Sequence, residues 1–413
     1  MQNQRMRCVL LAAIIATTAY MCLCIRDWRA QSAIEHGDMH ELERSVALEP
    51  HNAEAWYRLG ASQLYSGADP ATSVVALQDA VSLNPHQAKY WLDLASAERL
   101  RANPTAAREA LAQALAHAPT DPAVAWEAAN VALAEGDAES ALRHGKTVVQ
   151  FDPEHSVALL DVLWRMIHDR ERIATQALPC DQNAYSDFMA VLLNHNELGE
   201  LMPLWRNAEA HNLRVAPDVA LSAANALLLG KRPAEARAVW TDLTKEQPRF
   251  HDYTAGPDNL VVDGGFEFEL LNTALDWHLT PVPGVTVQTD GAHSHSDGRS
   301  LLIQFQQGAP QDAGVYEIIP VTGGAHYRFS LFTRVEDLRS AAPPKLVIED
   351  DATGALLLET RELVGSSAWQ QFAADIRTSP TTTALRVHIT RNTDAALIKG
   401  KLWLDDVVLK EQP

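Results

Sequence analysis

Polar side chains spaced for chemistry are few, and they lie in the last third of the chain. His293-Ser294-His295-Ser296-Asp297 sets two imidazoles beside a carboxylate, a donor set suited to a transition metal. Two histidines in a polar loop with no third ligand in view fall short of a zinc site, so the run reads as loop. Glu349-Asp350-Asp351-Ala352-Thr353-Gly354 reads in the same way as an acidic turn between strands. There is no nucleophile motif, phosphate-cradling glycine loop or zinc-hydrolase signature. Carboxylates are abundant, yet nothing sets two across a cleft as glycosidase chemistry requires. The expectation is a binding protein and not an enzyme.

Charge narrows the partners. A formal net charge of -19 over 413 residues repels phosphate backbones, which argues against nucleic acid. The four cysteines are Cys8, Cys22, Cys24 and Cys180. Three of them lie in or beside one apolar N-terminal run, so the remainder has no disulfide framework and no zinc spacing. That run, Cys8 to Ile25, carries no charge and is flanked by Arg5 and Arg7 before it and Arg26 and Arg29 after it. It sits at the lower end of membrane-spanning length and lacks a small-residue cleavage site. Residues 1-26 are therefore expected to be an uncleaved signal anchor, a single-pass transmembrane helix. The basic flanks favour a cytoplasmic N-terminus, with the bulk of the chain extracytoplasmic, as in a bacterial inner membrane and periplasm.

The elements that position the remaining side chains announce themselves by period. Pro50, Pro85, Pro119 and Pro153 fall 35, 34 and 34 residues apart, and each closes an alanine-rich stretch long enough for two short helices. A regular interval of about 34 residues is a stacked helix-turn-helix repeat. In one repeat Trp56, Leu59 and Gly60 lie on the first helix and Leu77, Ala80 and Pro85 on the second. In the next, Trp91, Leu94, Ala95, Ala107, Leu111 and Ala114 keep register. The chain thus resembles the tetratricopeptide family, with clearest repeats at 53-85, 88-119, 122-153 and 217-248 inside an α-solenoid spanning 27-248. In the third repeat Ala125 takes the usual tryptophan position and Trp126 moves one place on. Between Ser156 and Arg214 the period blurs.

The resemblance implies a concave groove lined by the first helix of each hairpin. The register places Tyr57, Tyr65, Arg99, Trp126 and Asn130 there as protein-binding candidates for a partner's peptide or helix.

After Pro248 the composition changes to Gly, Thr, Val and alternating apolar residues. Residues 249-258, with Gly256-Pro257, read as a linker. Beyond it, runs such as Leu301-Leu302-Ile303-Gln304-Phe305 and Leu385-Arg386-Val387-His388-Ile389 predict strands of an antiparallel β-sandwich over 259-413. Asn259-Leu260-Val261-Val262-Asp263-Gly264-Gly265-Phe266-Glu267, then Trp277, Gly298-Arg299-Ser300-Leu301, Trp369 and Leu402-Trp403-Leu404-Asp405-Asp406 resemble, in order, the jelly-roll carbohydrate-binding modules of galactose-binding-like fold. Sugar binding needs aromatic faces and polar side chains, which makes Tyr316, Trp403, Trp277 and Trp369 the candidates. The resemblance also implies a structural calcium ion near the first and last strands, at Glu267, Asp405 and Asp406. No other cofactor is expected.

The fold class expected is multidomain α plus β: transmembrane helix, solenoid of tetratricopeptide hairpins, jelly-roll sandwich. The function expected is a membrane-anchored extracytoplasmic adaptor, with a protein partner in the groove and polysaccharide on the jelly roll, in surface polysaccharide assembly or export. The alternative is a purely structural protein-interaction scaffold, and a polysaccharide-acting enzyme ranks third.

Overall fold

The computed structural model describes residues 2–36, 38–392 and 396–413. The chain divides into two compact units, Met1–Pro179 and Cys180–Pro413.

The first unit is helical: α1 (Gln2–His36), α2 (Met39–Leu48), α3 (Ala53–Tyr65), α4 (Pro70–Leu83), α5 (Ala88–Leu100), α6 (Pro104–His117), α7 (Pro122–Glu135), α8 (Ala138–Phe151), α9 (Pro153–Ile167) and α10 (Arg170–Gln176). Short polar residues start these helices. Asn52, Asp69, Asn103, Asp121 and Asp137 each accept a backbone N–H of the first turn, which satisfies donors that the helix itself leaves free. The period has a side-chain cause. The Trp56 indole donates to Pro50 O at 2.9 Å, and Trp91 repeats the bond to Pro85 O at 2.7 Å, so tryptophan and proline keep step. Gly60 explains how closely a hairpin closes, since a Cβ there would stand 2.7 Å from Leu77 Cγ. Ala125 and Ala129 are fully buried and hold the third hairpin equally tight. Period is lost after α9 because α10 has only 7 residues. Gly37 lies outside the described residues, and Asp38 caps α2 by accepting the Glu41 N–H.

The expected membrane anchor needs correction, and with it the single-pass, extracytoplasmic placement that rested on it. Among the described residues no helix is long and apolar enough to cross a membrane. Within α1 the side chains of Cys8 to Ala13 lie outside the described residues.

The second unit opens with α11 (Gln182–Asn194), α12 (Leu198–Ala210), α13 (Pro217–Leu229) and α14 (Pro233–Glu246), followed by a short 3-10 helix, Pro248–Tyr253. The segment read as a linker is packed: Trp240 donates to Tyr253 O at 2.9 Å, and Tyr253 to Glu269 O at 2.7 Å. Ten strands follow: β1 (His278–Leu279), β2 (Val285–Asp290), β3 (Ser300–Gly308), β4 (Asp312–Pro320), β5 (His326–Ser340), β6 (Lys345–Asp350), β7 (Leu356–Glu359), β8 (Gly365–Arg377), β9 (Ala384–Thr390) and β10 (Ile398–Gln412). They form two antiparallel sheets in the orders β1-β4-β9-β6-β7 and β2-β3-β10-β5-β8. Phe266, Trp277, Tyr327, Phe329, Leu402 and Leu404 fill the space between them, as alternation on each strand requires. The chain enters the sandwich against its last strand. Gly264 lies where a Cβ would meet Val407 O at 2.0 Å.

Candidate functional site

Helical spacing and cross-repeat bonds build the first surface. Glu54 on α3 accepts from Arg58, from Lys89 and, at 2.8 Å, from the Tyr90 hydroxyl on α5. Burial alone would raise its carboxyl, but these donors overcome it and hold the group below its usual value. Tyr57 stacks on Tyr90 with ring centroids 4.6 Å apart, and Lys89 Nζ lies 4.5 Å from the Tyr57 centroid. Tyr65 is exposed but donates to Asp93 at 2.9 Å. Asp93 is raised by burial, and burial with the Asp93 charge pushes Tyr65 up to about 12. Tyr57 and Tyr65 therefore act as one cross-repeat lattice, with the tyrosine hydroxyls engaged.

The other groove candidates gather one repeat further along. Arg99 and Asn130 line one cavity of about 380 Å³ between α5, α6 and α7, whose apolar wall includes Ala95, Leu111 and Val131. Arg99 Nε sits 3.1 Å from Glu127 Oε1 at its rim. Trp126 is half-buried and meets His155 edge-on, ring centroids 6.1 Å apart.

In the sandwich the four aromatic candidates separate. Trp277 lies in the core, 1% exposed, against Phe266, and offers no ring face to solvent. Trp403 faces outward on β10 opposite Arg334 of β5, yet it too is 1% exposed. Arg334, Lys401 and His293 cover the ring, and its indole donates to Asp290 at 2.7 Å. Trp369 shares that sheet on β8 and is half-buried, with His295 5.9 Å away edge-on and stacked on Phe332. Tyr316 belongs to the opposite sheet. His278 of β1 lies parallel to its ring at 4.8 Å, and the Arg386 guanidinium of β9 is 4.6 Å from its centroid.

The predicted calcium ligands are engaged by a loop. Glu267 Oε1 accepts Gly298 N–H at 2.9 Å and Arg299 N–H at 2.8 Å. Asp405 accepts from the His295, Ser296 and Asp406 amides, while Asp406 takes the Ser296 hydroxyl and His295 Nδ1. Donor hydrogens thus engage several of the lone pairs that a hard cation would use. Among the described residues, no group of three or more His, Cys, Asp or Glu is placed to hold a metal ion. The two histidines of the 293-297 run serve as clasps for that loop, each held by an aspartate.

Sequence reasoning missed two groupings. Around Tyr316, His388 bonds Asp312 at 2.9 Å and approaches Glu349 at 3.7 Å, while Arg386 pairs with Asp351 at 3.1 Å. The signal was present in the polar alternation of Arg386 and His388 along β9. The second grouping had none. Glu317 falls at a core-facing position of β4 between Val315 and Ile319, near Asp276 and Asp263. Burial raises Glu317 well above its usual range, Asp276 to about 7 and Asp263 to about 6. Asp276 Oδ1 and Glu317 Oε2 are buried without a partner.

No family model matches the chain, and no curated relative matches it. Solved structures similar to it include the Clostridium thermocellum N-terminal endo-1,4-β-D-xylanase 10B modules complexed with xylohexaose, at 17% identity and TM-score 0.27, covering 39% of this chain and 29% of that one. MamA aligns at 16% identity and TM-score 0.32, covering 42% of this chain and 94% of its own. The Pseudomonas aeruginosa pilF protein aligns at 15% and 0.29, covering 49% and 96%. Likeness at this level carries no functional argument. The architecture of helical hairpins and a two-sheet antiparallel sandwich rests on the topology itself.

Proposed function

We propose that the chain is a binding adaptor without chemical turnover: the helical hairpins hold a segment of a protein partner, and the sandwich takes up a glycan. The observation that carries this reading is the cavity of about 380 Å³ between α5, α6 and α7. It combines an apolar wall with the Arg99–Glu127 pair and Asn130 at its rim, the composition of a pocket that seats one large side chain of a partner. An adaptor of this kind suits polysaccharide assembly, where a protein and a glycan are held together.

The glycan half rests on Trp369 and on the polar set around Tyr316. Its rival, a sandwich that only braces the assembly, is favoured by one observation: Trp403 is covered, and Tyr316 has a neighbour stacked from each adjoining strand. A photo-crosslinking residue at position 130 of the full chain tests the protein half. Crosslinks to one partner segment that vanish in Ala95→Trp, which fills the cavity, support it; crosslinks that persist in that variant oppose it. A glycan array with the full chain tests the sugar half. Retention lost in Trp369→Ala or Tyr316→Ala supports it, and no retention of any glycan by the wild type leaves the structural sandwich.

A further inference from the structure

Arg237 on α14 stands out in an acidic chain. Its guanidinium carries five N–H donors, yet among the described residues the one acceptor it meets is Pro320 O, reached by Nη2. Nε is buried with no partner. The charged groups around it do not complete it. Tyr327 and Glu411 lie near enough to favour its cation, but Tyr327 bonds Thr322 and Glu411 instead. On the α12 side, Glu209 and Asp242 line an adjoining cavity with Arg237, and Asp242 Oδ2 accepts the Trp205 indole N–H at 3.0 Å. Desolvating a guanidinium without a counter-charge is costly, so its environment is incomplete.

What would complete it can be read from the other walls. Arg237 lines a cavity of about 240 Å³ with Trp240, Leu260 and the threonines 241, 244 and 254. Each hydroxyl already donates to a backbone carbonyl: Thr241 to Arg237 O at 2.8 Å, Thr244 to Thr241 O at 3.2 Å, Thr254 to His251 O at 2.7 Å. Their protons are therefore engaged, and what they present to the cavity is acceptor lone pairs. A ligand that suits this lining brings an anionic planar group for the guanidinium, hydroxyl donors for the exposed Thr241 and Thr254, and an apolar face for Leu260.

We propose that this cavity binds a sugar acid, its carboxylate on Arg237 and its hydroxyls donating to the threonine oxygens. The site is separate from both outer sheet faces and from the α5–α7 cavity, so its success or failure is independent of those readings. Isothermal titration of the full chain with D-glucuronate tests it, with D-glucose and inorganic phosphate as separate arms. Saturable glucuronate binding, absent with glucose and with phosphate, is the expected result, accompanied by a rise in Tm of about 2 °C at saturation. Arg237→Lys keeps the charge and loses the fork, and is expected to weaken binding at least about tenfold. Thr254→Val tests the hydroxyl half without touching the cation and should weaken it about fivefold. No heat with glucuronate, equal binding of phosphate or glucose, or unchanged affinity in Arg237→Lys overturns the proposal.

Discussion

Glu54 on the helical repeats and Glu317 between the two sheets of the sandwich answer burial in opposite ways. In the repeats Glu54 is surrounded by donors from its own helix and the next hairpin, which keep it ionised and below its usual value. In the sandwich Asp276 and Glu317 feel one another's charge and accept backbone amides, and burial raises both. A repeat exposes one long flank of each helix, so a charge there finds a lysine or arginine in the neighbouring unit. A two-sheet core offers only apolar side chains and the ends of loops, so a carboxyl there holds its proton.

The largest effect that can break this contrast is pH. Asp276 titrates near about 7 when folded and near its ordinary value of about 3.9 when unfolded. Below both values it is protonated in each state and carries no penalty. Between them the unfolded chain releases its proton first, so stability falls as pH rises. The fall totals about 4 kcal/mol by the time pH exceeds the folded value. Denaturant unfolding of the second unit is thus expected to show lower stability at pH 8 than at pH 5, and Asp276→Asn should flatten the dependence. A wild type equally stable at both values removes the contrast.

A smaller effect sharpens it. Asp121→Ala takes away the oxygen that caps α7 and is expected to cost about 1 kcal/mol. Because repeat units communicate chiefly with their neighbours, hydrogen exchange should quicken in the third hairpin and leave the sandwich unchanged. The smallest effect concerns calcium. Since loop hydrogens already engage Glu267, Asp405 and Asp406, adding calcium or chelator should move the Tm by less than about 1 °C. A stabilisation by calcium of several degrees would show that the loop opens to admit the ion.

These differences track what was legible in the sequence. The hairpins were readable because their determinants are local and repeated: Trp56 and Trp91 stand six residues after the prolines whose carbonyls they bond. The sandwich was readable as alternating strands with landmarks in order, and the parity of β9 carried an unused signal that Arg386 and His388 share one face. Arg334 and Lys401 covering Trp403 was not readable, because it depends on a register set between β5 and β10, which are far apart in the chain. Glu317 looked like an ordinary strand carboxylate, since nothing local reveals that its side of β4 faces the core. Arg237 likewise looked like any helix-surface arginine. Its isolation arises only where α14 meets Pro320.

The indole-to-proline bond described for the first two repeats also says where such a clasp is missing. Each such bond clasps a hairpin to the turn before it, like a rivet through adjoining plates. At the junction after Pro119 the position holds Ala125, which has no indole to offer. The cavity gathering Arg99 and Asn130 opens at that same seam.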